Sequence, residues 1–86
     1  MNDVKKDIEK ISESIDMLLE DTSIPKNVRN VIQRAKDRLS DTSDINTAIS
    51  GAIYALDEIS NDINMPMHAR TMIWNLLSEL EALEIH

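Results

Sequence analysis

The chain repeats itself once at a spacing of 41 residues, and this duplication is the feature that most constrains its fold. Aligning the two prolines pairs three residues of one half with three of the other, Asp21, Pro25 and Arg29 with Asp62, Pro66 and Arg70. Each half reads as a helix, a short turn ending in proline and a second helix, because proline suits the start of a helix. The sequence therefore predicts two similar helical hairpins.

Four apolar stripes at steps of three and four residues predict the individual helices. They lie within about residues 3–20, 25–39, 45–61 and 66–84. Short connections favour antiparallel neighbours. We therefore predict an all-α, antiparallel up-and-down four-helix bundle in one domain of residues 1–86, built from hairpins at about 3–40 and 44–84. The third helix is expected to be the most buried, because its apolar face is wide and rich in alanine.

Composition narrows the classes of function. The chain has no cysteine, which excludes a disulfide framework and a thiolate zinc site. Nine basic residues against 16 acidic ones give the chain a net charge of −7. Nucleic-acid binding is therefore not expected, because its affinity comes mainly from basic side chains that neutralise phosphates. The charged start, MNDVKKDIEK, lacks the apolar region of a secretory signal. No apolar run approaches the ~18 residues of a membrane span, so we expect a cytoplasmic protein.

Two sequence segments resemble known families. The fragments IPKNVR and MPMHAR look like the turn and second-helix start of a HEAT unit, whose repeats are also helical hairpins. Two units are too few for a solenoid, which favours closure into a bundle. The segments LEDTSIPKNVR and NMPMHARTMIWN resemble the archaeal uncharacterised protein family 0147. That resemblance implies a compact four-helix bundle in an archaeal cytosol and supplies no activity and no site residues.

The duplicated aspartates and arginines are predicted to build the hairpins. Asp21 and Asp62 each fall after one helix and close to the start of the next, where an anion is favoured. We expect each carboxylate to cap or screen that second helix and to pair with Arg29 or Arg70. These four residues, with the two prolines, are thus assigned a structural role.

No catalytic, cofactor-binding or metal-ligating residue is predicted. His68 lies near Asp62 and Asn64 in sequence, and these side chain types can bind a metal or transfer protons. However, the segment lacks the glycine and the closing glutamate of a calcium loop, and the chain has no HExxH motif. One glycine in the whole chain also excludes a glycine-rich phosphate loop.

The residues around Trp74 are not explained by the duplication. A second, semi-apolar strip on the last helix is predicted from the spacing of Met67, Arg70, Thr71, Trp74, Ser78 and Ile85. In the first hairpin the positions of Met67 and Trp74 are held by Lys26 and Gln33, which are polar. Because Trp, Met and Arg are enriched at protein interfaces, the strip is interpreted as a contact surface. The alternative is a wide buried face with Trp74 packed under a loop.

The sequence therefore leaves the function open among three classes. The first is a non-enzymatic module for protein–protein interaction or self-association through the Trp74 strip. The second is a nucleic-acid or ribonucleoprotein accessory factor that uses the basic residues of the second helix, Lys26, Arg29, Arg34, Lys36 and Arg38. The third is a small metal-dependent enzyme with a site at Asp62 and His68.

Overall fold

Four helices make up the structure, a computed structural model that describes residues 4–41 and 43–83. They are α1 (Val4–Leu19), α2 (Lys26–Ser40), α3 (Ile45–Ile59) and α4 (Met67–Leu83). Their bounds lie within about two residues of the predicted ones, and the predicted ends at residues 3 and 84 fall outside the described residues. No strand occurs in the described ranges. None of the four helices is long and apolar enough to span a bilayer.

The helices form a bundle in which each packs against its neighbours in the chain. Helix α1 also packs against α4, which closes the bundle, and the Cα extents are 38 × 18 × 18 Å. The most extensive packing is between α2 and α3, and the least extensive is between α4 and α1. The predicted all-α four-helix fold is confirmed.

The core is aliphatic, because the chain has no phenylalanine and its two aromatic side chains, Tyr54 and Trp74, lie outside it. Helix α3 supplies the largest share of buried residues, as predicted: Ala48, Ile49, Ala52, Ala55, Leu56 and Ile59. Ile24 and Met65, which precede the two prolines, are also buried. Burying an aliphatic side chain contributes about 1.5–3 kcal/mol, so both hairpin turns are anchored in the core.

The two proline turns are built by the same backbone hydrogen bonds. At the first turn the N–H groups of Asp21, Ile24 and Arg29 donate to the carbonyls of Leu18, Asp21 and Pro25. At the second turn the donors are Asp62, Met65 and Arg70 and the acceptors are Ile59, Asp62 and Pro66. Every donor and acceptor is shifted by 41 positions. Each proline carbonyl therefore starts the backbone ladder of the helix that follows it.

The connection between α2 and α3 is held by two aspartates. Asp41 Oδ1 accepts from the backbone N–H and the hydroxyl of Ser43, at 3.1 and 2.7 Å. Asp44 is the N-cap of α3 and accepts from the N–H of Thr47 at 3.2 Å, a bond that lowers the pKa of its carboxyl. Caps of this kind stabilise a helix by about 1 kcal/mol. The side chain of Asp44 thus fixes the start of α3.

Candidate functional site

A cross-hairpin contact joins the first turn to the start of α4. His68 Nε2 lies 2.6 Å from Asp21 Oδ2. The other oxygen, Oδ1, accepts from the N–H of Ser23 at 2.9 Å and from its hydroxyl at 2.5 Å. Asp21 therefore orders the turn and binds the second hairpin. It does not cap α2 as expected, since the N-cap is Pro25 and no side chain bonds there.

These contacts determine the protonation of the site. The hydroxyl of Ser23, then His68, then the N–H of Ser23 lower the pKa of Asp21 to about 2. The carboxylate is ionised at neutral pH and can only accept hydrogen bonds. The proton of the contact therefore lies on His68 Nε2, which donates to Asp21.

The order of the three side chains differs from that of a serine nucleophile activated by histidine. A serine nucleophile needs its hydroxyl held by the base that removes its proton. Here the hydroxyl of Ser23 donates to the carboxylate of Asp21, and His68 lies on the opposite oxygen. The three side chains thus form a hydrogen-bond network that links the first turn to α4.

The second turn uses the corresponding residues differently. Asp62 Oδ1 accepts from the N–H of Asn64 at 2.8 Å. Arg70 Nη2 donates 2.7 Å to the backbone carbonyl of Asp62, so the pairing of Arg70 with the carboxylate is not observed. In the described chain neither Arg70 nor Arg29 forms an ion pair with the aspartate of its own hairpin. Both arginines are half-buried with an Nε that has no hydrogen-bond partner there.

The predicted grouping of Asp62, Asn64 and His68 does not form. The imidazole of His68 is turned to Asp21 of the other hairpin, and Asp62 is engaged with the backbone of Asn64. Residues 4–41 and 43–83 contain no group of three or more His, Cys, Asp or Glu side chains arranged to hold a metal ion. The geometry thus offers no support for the metal-dependent enzyme.

The basic residues predicted on α2 are not equally available. Lys36 Nζ lies 2.5 Å from Asp16 Oδ1 on α1, which neutralises its charge. Arg29 is half-buried, and the side chain of Arg38 lies over Gly51 of α3. Only Lys26 and Arg34 remain exposed without such a contact. A protein that binds nucleic acid draws its affinity from several basic side chains that reach phosphates together.

The Trp74 strip faces solvent in the region that the structure describes. Trp74 is 49% exposed and Met67 is 66% exposed. Thr71 and Ser78 are also exposed, and Arg70 is half-buried. Ile85, the sixth predicted member, lies outside the described residues. We call Met67, Arg70, Thr71, Trp74 and Ser78 the α4 strip. The guanidinium of Arg70 is directed to the carbonyl of Asp62.

The sequence alone gave no signal for the contact of His68 with Asp21. The two residues are 47 positions apart and do not correspond in the duplication. Their proximity depends on how the hairpins stack, which periodicity does not specify. A weaker signal did exist for the turns: the tripeptide DTS occurs at residues 21–23 and 41–43. In both copies the aspartate accepts from the serine two residues later, as such short polar side chains do in turns.

Residues 1–83 match the Uncharacterised protein family (UPF0147). The chain belongs to this family. A UPF0147 protein of Archaeoglobus fulgidus is 42% identical over 81 residues, covering 94% of this chain and 93% of the relative. A UPF0147 protein of Pyrococcus abyssi is 35% identical over 86 residues, covering 98% of this chain and all of the relative. The resemblance found in the sequence is thereby confirmed, and these names state no activity.

Two solved crystal structures share the fold. One is the unknown function protein MMP1188, which is 38% identical, with a TM-score of 0.85 over 92% of this chain and 91% of that chain. The other is a UPF0147 protein from Thermoplasma acidophilum, which is 35% identical, with a TM-score of 0.85 over 92% of this chain and 94% of that chain. The bundle is thus shared with a solved structure of the same family.

Proposed function

We propose that this protein is a non-enzymatic interaction module that binds another protein surface through the α4 strip. The observation that carries the proposal is the half-exposed Trp74, which lies on the same side of α4 as the exposed Met67, about two turns away and outside the core. Tryptophan is among the residues that dominate binding energy at protein interfaces. Exposing both side chains to water has a cost that a partner surface would remove.

The first hairpin supplies an internal comparison that supports this proposal. The positions that correspond to Met67 and Trp74 are Lys26 and Gln33, which are polar and exposed. An apolar surface that only maintained the bundle would be expected on both hairpins, since the two cores are built from corresponding residues. The accessory role in nucleic-acid binding has less support, because Lys36 is paired with Asp16 and Arg29 is half-buried.

The test is affinity capture from a native archaeal lysate with the wild-type chain and two variants. Trp74→Ala should lose the specific proteins that the wild type retains, because it removes the main apolar anchor. Tyr54→Ala is the matched control, since Tyr54 is also an exposed aromatic residue, at 77%, but lies on α3. Identical protein profiles for the wild type and Trp74→Ala would contradict the proposal. Binding of labelled RNA that falls with salt would favour the accessory role instead.

A further inference from the structure

We infer that the partner of the α4 strip is the same strip on a second copy of this chain, with the two α4 helices antiparallel. The inference rests on the proposed function, because it names the occupant of the same surface. Three features of α4 support it: the order of its charges, the sizes of its exposed side chains and the area that one side of the bundle offers.

The charges of α4 are arranged against its own dipole. Its first turn contains no acidic residue and is followed by Arg70, whereas its later turns carry Glu79 and Glu81 and its last turn has no basic residue. A helix favours anions near its N-terminus and cations near its C-terminus. An antiparallel second α4 places the acidic half of each copy beside the basic half of the other. The contact thus turns an unfavourable order of charges into a complementary one.

The spacing of the charged residues fixes the position of the two-fold axis. Arg70 and Glu81 are eleven residues apart and differ by only about 20° around the helix, so they lie on the same edge. An antiparallel pair of identical helices brings like edges together. An axis between residues 75 and 76 sets Arg70 level with the second copy's Glu81. Arg70 uses Nη2 to bind the carbonyl of Asp62 and keeps further N–H donors for a carboxylate.

The same axis suits the sizes of the exposed side chains. Trp74 then lies next to the second copy's exposed Ser78, which is short. Thr71, on the other side of Trp74, is also short, so the strip offers a large side chain flanked by small ones. These members of the strip carry no charge, although the whole chain has a net charge of −7. Like-charge repulsion therefore acts mainly between surfaces distant from the contact.

One side of the bundle sets an upper limit on the area that the dimer can bury. The Cα extents of 38 and 18 Å allow about 1,400 Å² of total buried surface if one side of each copy is covered, against roughly 1,200–2,000 Å² for specific interfaces. A contact limited to α4 would bury less. We therefore expect a weak dimer with a dissociation constant in the micromolar range or above.

Sedimentation velocity from micromolar to near-millimolar concentration tests the inference. The wild type should shift from monomer to dimer, and Trp74→Ala should weaken the dimer by about tenfold or more, the loss typical of a central interface residue. Tyr54→Ala should dimerise as the wild type does. Circular dichroism of each variant verifies that the helices are intact. A wild type that stays monomeric throughout, or a dimer that Trp74→Ala leaves unchanged, would overturn the inference.

A charge variant provides a second test that does not depend on Trp74. Glu81→Lys should weaken the dimer even though it reduces the net negative charge, because it places a cation beside Arg70 of the second copy. Glu58→Lys on α3 changes the net charge equally and lies off the strip, so it should not weaken the dimer. Equal effects of the two variants would mean that only net charge matters and would contradict the proposed register.

Spin labels can establish the direction of the helices. The chain has no cysteine, so Asn75→Cys and Ala82→Cys each introduce one label on exposed positions beside the strip. In the antiparallel dimer the pair at Asn75 is close, and the pair at Ala82 is separated by about 20 Å along the helix axes. Equal distances at both sites would indicate parallel helices and overturn this geometry. A monomer that still captures proteins through Trp74 would overturn the inference and leave the proposed function standing.

Discussion

The bundle has two seams between its hairpins: α2 packs against α3 in the close seam, and α4 packs against α1 in the open seam. The two seams are built from corresponding positions of the chain, but the packing is more extensive in the close seam. In the first seam Gly51 lies against α2, where a Cβ atom would be 2.8 Å from Cδ of Arg38. Ala55, one turn later on the same side of α3, is buried. In the second seam the positions 41 residues earlier are Lys10 and Ser14. Both line a groove of about 350 Å³ between α1 and α4.

This difference shows how a duplicated hairpin acquires two kinds of interface. The apolar positions that form the core correspond in the two halves, so the overall fold is the same on both sides. The positions beside the core decide how closely the helices approach: small residues give a close seam, and long polar ones keep the helices apart. As a result, α3 packs extensively against α2 in the close seam, whereas α1 packs less extensively against α4 in the open seam.

The largest expected effect comes from adding the same side chain to both seams. Ala55 is buried, at 3% exposed, and Ser14 is half-buried at its corresponding position. Ala55→Leu should lower the free energy of unfolding by about 1–3 kcal/mol, because the close seam has no room for the added carbons. Ser14→Leu should change it by less than about 0.5 kcal/mol, because the groove accepts them. Urea denaturation measures both, and equal losses would mean that the seams do not differ.

A smaller effect is expected from removing the contact that bridges the open seam. His68→Ala deletes the hydrogen bond to Asp21, which ties the first turn to α4. The midpoint of thermal unfolding should fall, by less than for Ala55→Leu because His68 is mostly exposed. Amide exchange should become faster in α1 than in α2 and α3. Asn27→Ala is the control, since Asn27 holds the corresponding position in the first hairpin and is exposed; an equal fall for both variants would contradict this role.

The same bridge predicts how stability responds to acid. The pKa of Asp21 is about 2 in the folded chain, below its ordinary value of 3.8. A lowered pKa means that the ionised carboxylate favours the folded state, so its contribution is present above about pH 4 and is lost as the pH falls towards 2. Wild type should therefore lose more stability than Asp21→Asn between about pH 5 and pH 2.

Two variants check the cause of this acid response by the same denaturation series. Ser23→Ala removes the hydroxyl that contributes most to lowering the pKa of Asp21. Its loss of stability between about pH 5 and pH 2 should therefore come closest to the loss for Asp21→Asn. For His68→Ala this loss of stability should lie between those of wild type and Ser23→Ala. If neither variant changes the acid response, the carboxylate of Asp21 is not its source.

The parts of this molecule that depend on local pattern could be predicted, and those that depend on stacking could not. The four helices follow from stripes such as Ile8, Ile11 and Ile15, which are all buried. The position of Trp74 at the edge of its stripe also follows, although periodicity alone left open whether a loop covers it. The sequence did not show that Asp21 would meet His68, because this requires the distance and rotation between hairpins. Those are determined by the seams.

Gly51 illustrates the same limit at a single position. A glycine within a helix suits both a close contact and an exposed surface position, and the local sequence does not distinguish them. The structure places its Cα under the side chain of Arg38. The contact of Gly51 depends on the position of α2, which the sequence around Gly51 does not specify.

The smallest expected effect isolates that contact. Alanine favours a helix interior over glycine by up to about 1 kcal/mol, but in the wild-type background the new Cβ must displace Arg38, which is exposed and able to move. Gly51→Ala alone should therefore change the free energy of unfolding by no more than about 0.5 kcal/mol, and in an Arg38→Ala background it should add about 0.5–1 kcal/mol. The difference between the two backgrounds is the coupling energy of the contact. If it is zero, Arg38 does not restrict the approach of α3 to α2, and the close seam results from the alanines alone.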